Sequence, residues 1–147
     1  LLYLLIINRQ TKKRKTMATR SRIAIELPDG TVKSIYCHWN GSPDTNGVTL
    51  MKHYQERKKV EDLIALGSLS ILAKNIEPTE KHTFSNPQSD VVVAYHRDRG
   101  EAYQKPNSHR TREHYFRSDV ECFGYLFTKE DNWVYVSYCD RRPRPIY

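Results

Sequence analysis

The sequence lacks any apolar run long enough to cross a bilayer. Its longest, Leu1 to Ile7, is seven residues, against the roughly 20 that a spanning helix needs. It also lacks the order of a secretory leader, because the basic residues from Arg9 to Lys15 follow the apolar stretch and no small-residue cleavage site comes after them. Cysteine is scarce. Cys37, Cys122 and Cys139 make an odd count with no CxxC spacing, which argues against a disulfide framework and against structural zinc. A reducing cytoplasm and no membrane partner are therefore expected, and the Asn40-Gly41-Ser42 sequon carries no weight there. No P-loop, dinucleotide glycine fingerprint, GxSxG or HExxH occurs. His53, His82, His96, His109 and His114 are scattered, and His109 and His114 are five apart, a spacing that does not stack on a helix. No metal and no cofactor is expected, and the missing motifs count against an enzyme without excluding one.

What is present begins with an uneven charge. The chain carries +7. Arg9, Lys12, Lys13, Arg14 and Lys15 supply five of those charges, and Arg141, Arg142 and Arg144 against Asp140 supply the other two, so residues 17–139 are neutral. A basic chain ordinarily points to nucleic acid or an anionic surface, but a charge confined to the two ends says little about the body. Lys13-Arg14-Lys15-Thr16-Met17 can be encoded with a ribosome-binding AGGA just before an ATG start. Residues 1–16 are therefore expected to be translated upstream sequence, disordered, with the working chain beginning at Met17. Residues 17–139 have the size of one domain, and 140–147 read as a basic, proline-containing tail.

Arg22 to Leu27 alternates, Pro28-Asp29-Gly30 is a turn, and Val32 to Trp39 is a second strand. Period two puts Ile35, Cys37 and Trp39 on one face, and Val32, Ser34, Tyr36 and His38 on the other. After a loop at 40–46, Asp44, Thr45 or Asn46 is placed to cap a helix carrying Val48, Met51 and Tyr54. The pattern slips near Gln55 to Lys58 and restarts at Val60, Leu63 and Ile64, with Gly67 at the C′ position. Ser68 to Leu72 reads as one more turn, 75–90 as a polar loop, Asp90 to Tyr95 as a third strand, and 111–120 as a weakly amphipathic helix. Phe123 to Phe127 and Trp133 to Tyr138 form a second hairpin. The fold class expected is α+β, with a mostly antiparallel sheet of about five strands and two or three helices packed on one face.

Two loops follow strand ends, where functional side chains often sit. In the first, Tyr36 and His38 share a face and His38 could act as base or ligand hydrogen-bonder, with Asn40 beyond it; alternatively they merely cover the sheet while Trp39 fills the core. In the second, Tyr95-His96-Arg97-Asp98-Arg99-Gly100-Glu101, Arg97 and Arg99 are spaced to fork onto a phosphate or carboxylate; alternatively they pair locally with Asp98 or Glu101. A basic stretch at 96–117 with Tyr103, Tyr115 and Phe116 interleaved is a third candidate, for single-stranded nucleic acid.

Thr19-Arg20-Ser21-Arg22-Ile23, the stretch from Asp29 to Trp39, His53-Tyr54, Leu63-Ile64-Ala65-Leu66-Gly67 and Arg97-Asp98-Arg99-Gly100-Glu101 together resemble a family of small uncharacterised proteins of tailed bacteriophages and prophages. The resemblance covers roughly 17–101 and the last aromatic hairpin. It implies a phage genome and a bacterial cytoplasm, and no particular activity. The family pattern after the tryptophan resembles Asp-Gly-Tyr-Pro, where this chain has Asn40-Gly41-Ser42-Pro43; the residue before Arg97 is often glycine there and is His96 here. If the acid after the tryptophan were catalytic in that family, Asn40 would disable this copy, which favours binding over catalysis. The function expected is a non-catalytic accessory protein that binds a host protein or a small anionic ligand through Tyr36, His38, Asn40, Tyr95, Arg97, Asp98, Arg99 and Glu101. The rivals are a phosphodiester or nucleotide hydrolase using His38 with Arg97 or Arg99, and a nucleic-acid binder using 96–117.

Overall fold

The computed structural model describes residues 18–146; the expected upstream leader at 1–16 lies outside the described residues. Ser21–Glu26 (β1) and Val32–Cys37 (β2) form the first hairpin, in a register that sets Ile23 against Ile35 and Arg22 against Tyr36. Its turn depends on Gly30 at φ 87° and on Asp29 Oδ1, which accepts from the Thr31 amide and hydroxyl. A wide turn at Pro43–Gly47 then leads into α1 (Val48–His53) without a side-chain cap. Asn46, one of the expected caps, is instead buried, and its amide donates to the Trp39 carbonyl at 3.2 Å. The chain breaks at Tyr54 and resumes as α2 (Arg57–Ala65), which buries Val60, Leu63 and Ile64. Gly67 ends it at φ 78°, its amide donating to the Ile64 carbonyl. A side chain there would be strained by the φ and would meet the Gln104 carbonyl at 2.7 Å.

The segment after Gly67 is a strand, not the short turn expected of it. Leu69–Ile71 (β3) lies parallel to β2 at Cys37, and Val93–Ala94 (β4) pairs antiparallel with β3. A parallel neighbour requires a crossover of a dozen residues or more, and α1 and α2 provide it. Tyr95–Arg99 (α3) follows β4. Asn107–His109 (β5) then pairs antiparallel with the other half of β2, Val32 to Ser34. Arg112–Arg117 (α4) leads to Phe123–Phe127 (β6), which runs parallel to β1; Trp133–Ser137 (β7) and Asp140–Pro145 (β8) complete the sheet. The strand order is β4-β3-β2-β1-β6-β7-β8, with β5 beside β2.

The class is α+β, but two details differ from expectation. The sheet has eight strands and is mixed, because β1–β6 and β2–β3 are parallel pairs. Helices also cover both faces. One core holds Ile23, Ile25, Ile35 and Cys37 with Leu50, Tyr54, Val60 and Leu63 from α1 and α2, and Ile146 beyond β8 is buried in it. The second core holds Ala24, Val32, Leu126 and Val136 under Tyr115 and Phe116 of α4 and Val120. Each face of the central strands therefore carries an apolar core, so neither is left wholly to solvent.

Gly124 sets how closely α4 approaches. A Cβ there would stand 2.6 Å from the Val120 Cβ and 3.2 Å from the Tyr115 hydroxyl. That hydroxyl donates to the Tyr125 carbonyl at 2.9 Å. Gly124→Ala should therefore destabilise the fold by about 1–3 kcal/mol through overpacking, read as a lower urea midpoint with an unchanged slope; an unchanged midpoint would mean that Val120 can move aside freely.

Candidate functional site

The outer edge of β2 is paired at both ends but not between them. β3 takes Cys37, β5 takes Val32 to Ser34, and Ile35 and Tyr36 face the gap. Two adjoining cavities fill this notch and share Tyr36, Ser68 and Gln104 as walls. The first, about 420 Å³, is completed by Tyr95, His96, Glu101 and Ala102. The second, about 310 Å³, is completed by Arg22, Ser34, Ile35, Lys105 and Asn107. Both fall in the size range of small-molecule sites.

Hydrogen bonds hold the walls. The Tyr36 hydroxyl and His38 Nδ1 are 2.7 Å apart and share a hydrogen bond, and burial raises the Tyr36 pKa, so the phenol keeps its proton. His96 Nδ1 lies 2.7 Å from the Glu101 carbonyl, which makes it the donor. The Ser68 hydroxyl donates to Gln104 Oε1 at 2.9 Å. In the second cavity, Arg22 Nε donates to Ser34 Oγ at 3.0 Å and Nη2 to the Ser34 carbonyl at 3.1 Å. Burial lowers the Arg22 pKa, opposed by Tyr115, Glu121 and Asp119.

Behind Ser34 lies a polar pair within the fold. Ser34 Oγ is 3.0 Å from His109 Nε2, and His109 Nδ1 is buried without a partner among the described residues. Burial, with His114 and Arg22 nearby, pushes the imidazole pKa down to about 4, so His109 is neutral at pH 7. A serine–histidine contact invites comparison with a nucleophile and its base, but the third member, a group orienting the far ring nitrogen, is missing. The contact instead pins β5 to β2.

The structure brings Tyr36, His38, Tyr95 and Glu101 to one place, His38 through the Tyr36 hydroxyl and the others as cleft walls. Trp39 remains half-buried, its ring edge-on to His38 at 4.7 Å. Asn40 is exposed at φ 60° and lies outside both linings; its carbonyl accepts from the Asn46 amide and the Thr45 hydroxyl, closing the next turn. Arg97 is committed to the fold. Its guanidinium donates to both Asp98 carboxylate oxygens and to the carbonyls of Ile76 and Val92. Asp98 also accepts from the Ala94 amide and lies 3.2 Å from His82 Nε2. That contact lacks hydrogen-bond geometry: His82 Nε2 has no hydrogen-bond partner among the described residues. Arg99 is exposed, 3.5 Å from Glu101 Oε1 and 4.7 Å from the centre of the Phe84 ring. The basic stretch does not form one surface: Tyr115 and Phe116 are buried, and Arg112 is held by Glu26 and Glu130.

Arg22, Ser34 and Ser68 were not among the sequence candidates, and Gln104 and Lys105 were covered only by the basic stretch at 96–117 read for single-stranded nucleic acid. A signal existed for the first two, because the Pro28–Gly30 turn fixes a register that puts Arg22 opposite Tyr36 and on the face of Ser34. Among the described residues no group of three His, Cys, Asp or Glu side chains is arranged to hold a metal, and no helix is long and apolar enough to cross a membrane. Comparison with protein-family models, curated proteins and solved structures finds no match to this chain.

Proposed function

We propose that this chain is a non-catalytic binding protein that takes a small anionic, phosphate-bearing ligand in the cleft beside Tyr36. The observation that carries this reading is the pairing of Arg22 with Lys105 in the wall of one polar cavity of ligand size. Ser34 occupies only part of the Arg22 fork, and a guanidinium fixed by the fold pays little ordering entropy when an anion arrives. The hydrolase reading has less behind it. His38 Nδ1 is engaged by Tyr36, His109 lacks an orienting partner, and Arg97 has its donors spent inside the chain. The motif resemblance over 17–101 supports a phage-encoded accessory role in a bacterial cytoplasm, where the anionic group could also be borne by a host protein.

The test is calorimetric titration of the full chain with phenyl phosphate and inorganic phosphate. Lys105 is exposed, so Lys105→Ala should fold normally and weaken binding about tenfold, the scale of one charge-assisted hydrogen bond. Affinity that is unchanged in Lys105→Ala, or that falls only in Arg99→Ala, would move the site out of this cleft. A salt dependence steep enough to imply several phosphate contacts would favour a nucleic acid instead.

A further inference from the structure

The two halves of the cleft differ in chemistry, and Tyr36 stands at their boundary. Around the larger cavity are the rings of Tyr36, Tyr95 and His96 with the Ala102 methyl group; around the smaller are Arg22, Lys105, Ser34 and Asn107. We infer that the cleft binds a nucleotide, with the base against the Tyr36 and Tyr95 rings and the phosphate against Arg22 and Lys105. This rests on the anion-binding reading of the same cleft and narrows it to one ligand class.

The rings are fixed before a ligand arrives. Tyr36 is tied to His38 at 2.7 Å, and Tyr95 lies 5.6 Å from the Phe84 ring. His96 is tied to the Glu101 carbonyl at 2.7 Å and packs 5.3 Å from the Tyr103 ring. Prearranged aromatic walls favour a flat partner, and stacking of a base on an aromatic side chain tolerates every base. The aromatic half is also lined by Glu101, whose carboxylate has the Arg99 guanidinium 3.5 Å away and has capacity left to accept from an N–H donor on a ligand. A flat ring with N–H donors joined to an anion meets all three requirements. Inorganic phosphate leaves the aromatic half unused, and a neutral aromatic leaves the two cations without a partner. The same chemistry belongs to a free mononucleotide and to the phosphorylated end of a strand.

The full chain should be titrated calorimetrically with the four nucleoside monophosphates, their nucleosides, phenyl phosphate and a 5′-phosphorylated trinucleotide. At least one monophosphate is expected to bind about tenfold or more tightly than both its nucleoside and phenyl phosphate. Lys105→Ala should remove most of the preference over the nucleoside and leave nucleoside binding unchanged. Tyr95→Ala, with thermal melting to confirm that it folds, should weaken nucleotide and nucleoside together. A trinucleotide that binds more tightly than its monophosphate supports the site with a strand end as the source; one that binds no better supports the free nucleotide. Phenyl phosphate binding as tightly as every nucleotide overturns the nucleotide assignment while leaving the anion site standing. Silence of every phosphate-bearing probe overturns both.

Discussion

Arg97→Ala should cost the fold about 3–5 kcal/mol, the range for removing one partner of a buried ion pair. Arg99→Ala, two residues along, should change stability by no more than about 0.5 kcal/mol. The contrast follows from where each guanidinium goes. The Asp98 side chain is only 4 % exposed, and burial by itself would raise its pKa; hydrogen bonds from Arg97 and the Ala94 amide outweigh that and hold it below the ordinary carboxylate value. Without Arg97 the carboxylate keeps its burial and loses its cation. The Ile76 and Val92 carbonyls lose donors at the same time. These bonds help tie the polar loop at 75–90 to β4 and α3, alongside the Val92 amide on the Asn75 carbonyl and the Phe84 amide on the Asp98 carbonyl. Lysine is no substitute, since one ammonium cannot span four acceptors set out for a planar fork. Arg99 is 51 % exposed beside Glu101 and Phe84 and has water as an alternative partner. Urea unfolding of Arg97→Ala, Arg97→Lys and Arg99→Ala measures all three. If Arg97→Ala melts like the parent, the cross-tie has no weight. A ligand lost in that variant would report on folding rather than on contact.

Arg97 also shows where sequence reading reaches its limit. Its neighbour Asp98 is visible in the sequence; the carbonyls of Ile76 and Val92 are not, because they arrive by tertiary folding. The hairpins are legible from alternation and turn residues, and α2 from its apolar stripe, because each pattern is local. β3 and β5 are three residues each and exist only through their pairing with β2, so periodicity cannot announce them. α4 is six residues long with Tyr115 and Phe116 adjacent, too short for a stripe to mark which face it buries, and the second covered face was missed for that reason. The cleft divides in the same way. Tyr36, Tyr95 and Glu101 are visible as residues at or just beyond strand ends. Lys105 and Gln104 join them only because the chain between α3 and β5 folds back over the open edge of β2.

Arg112→Ala should be destabilising at neutral pH by roughly 3–5 kcal/mol, and its deficit should shrink as the solution is acidified. Glu26 is the buried member of this pair, its side chain 4 % exposed against 30 % for Arg112. Burial favours the protonated acid, but hydrogen bonds from the Arg112 fork and the Lys129 amide overcome this, and the Glu26 pKa falls below its ordinary value. A depressed folded-state pKa contributes stability that is complete above the unfolded value, about 4.3 for glutamate, and is lost as pH falls through the folded value. Removing Arg112 reverses the sign. The carboxylate then sits buried without its cation, its pKa rises above ordinary, and protonation relieves the variant while it penalises the parent. The difference in unfolding free energy between parent and variant should therefore be greatest near pH 7 and fall steadily below about pH 5. Taking the difference cancels the other carboxylates that titrate in this range, apart from Glu130, which is exposed and adds little. Glu26→Gln should be the milder change, about 1–3 kcal/mol, because the Arg112 left behind is partly exposed and still reaches Glu130. Urea melts of the three proteins between pH 4 and 7 test both statements. A parent–variant gap that stays constant with pH would mean that Glu26 is stabilised by its backbone bond and not by Arg112.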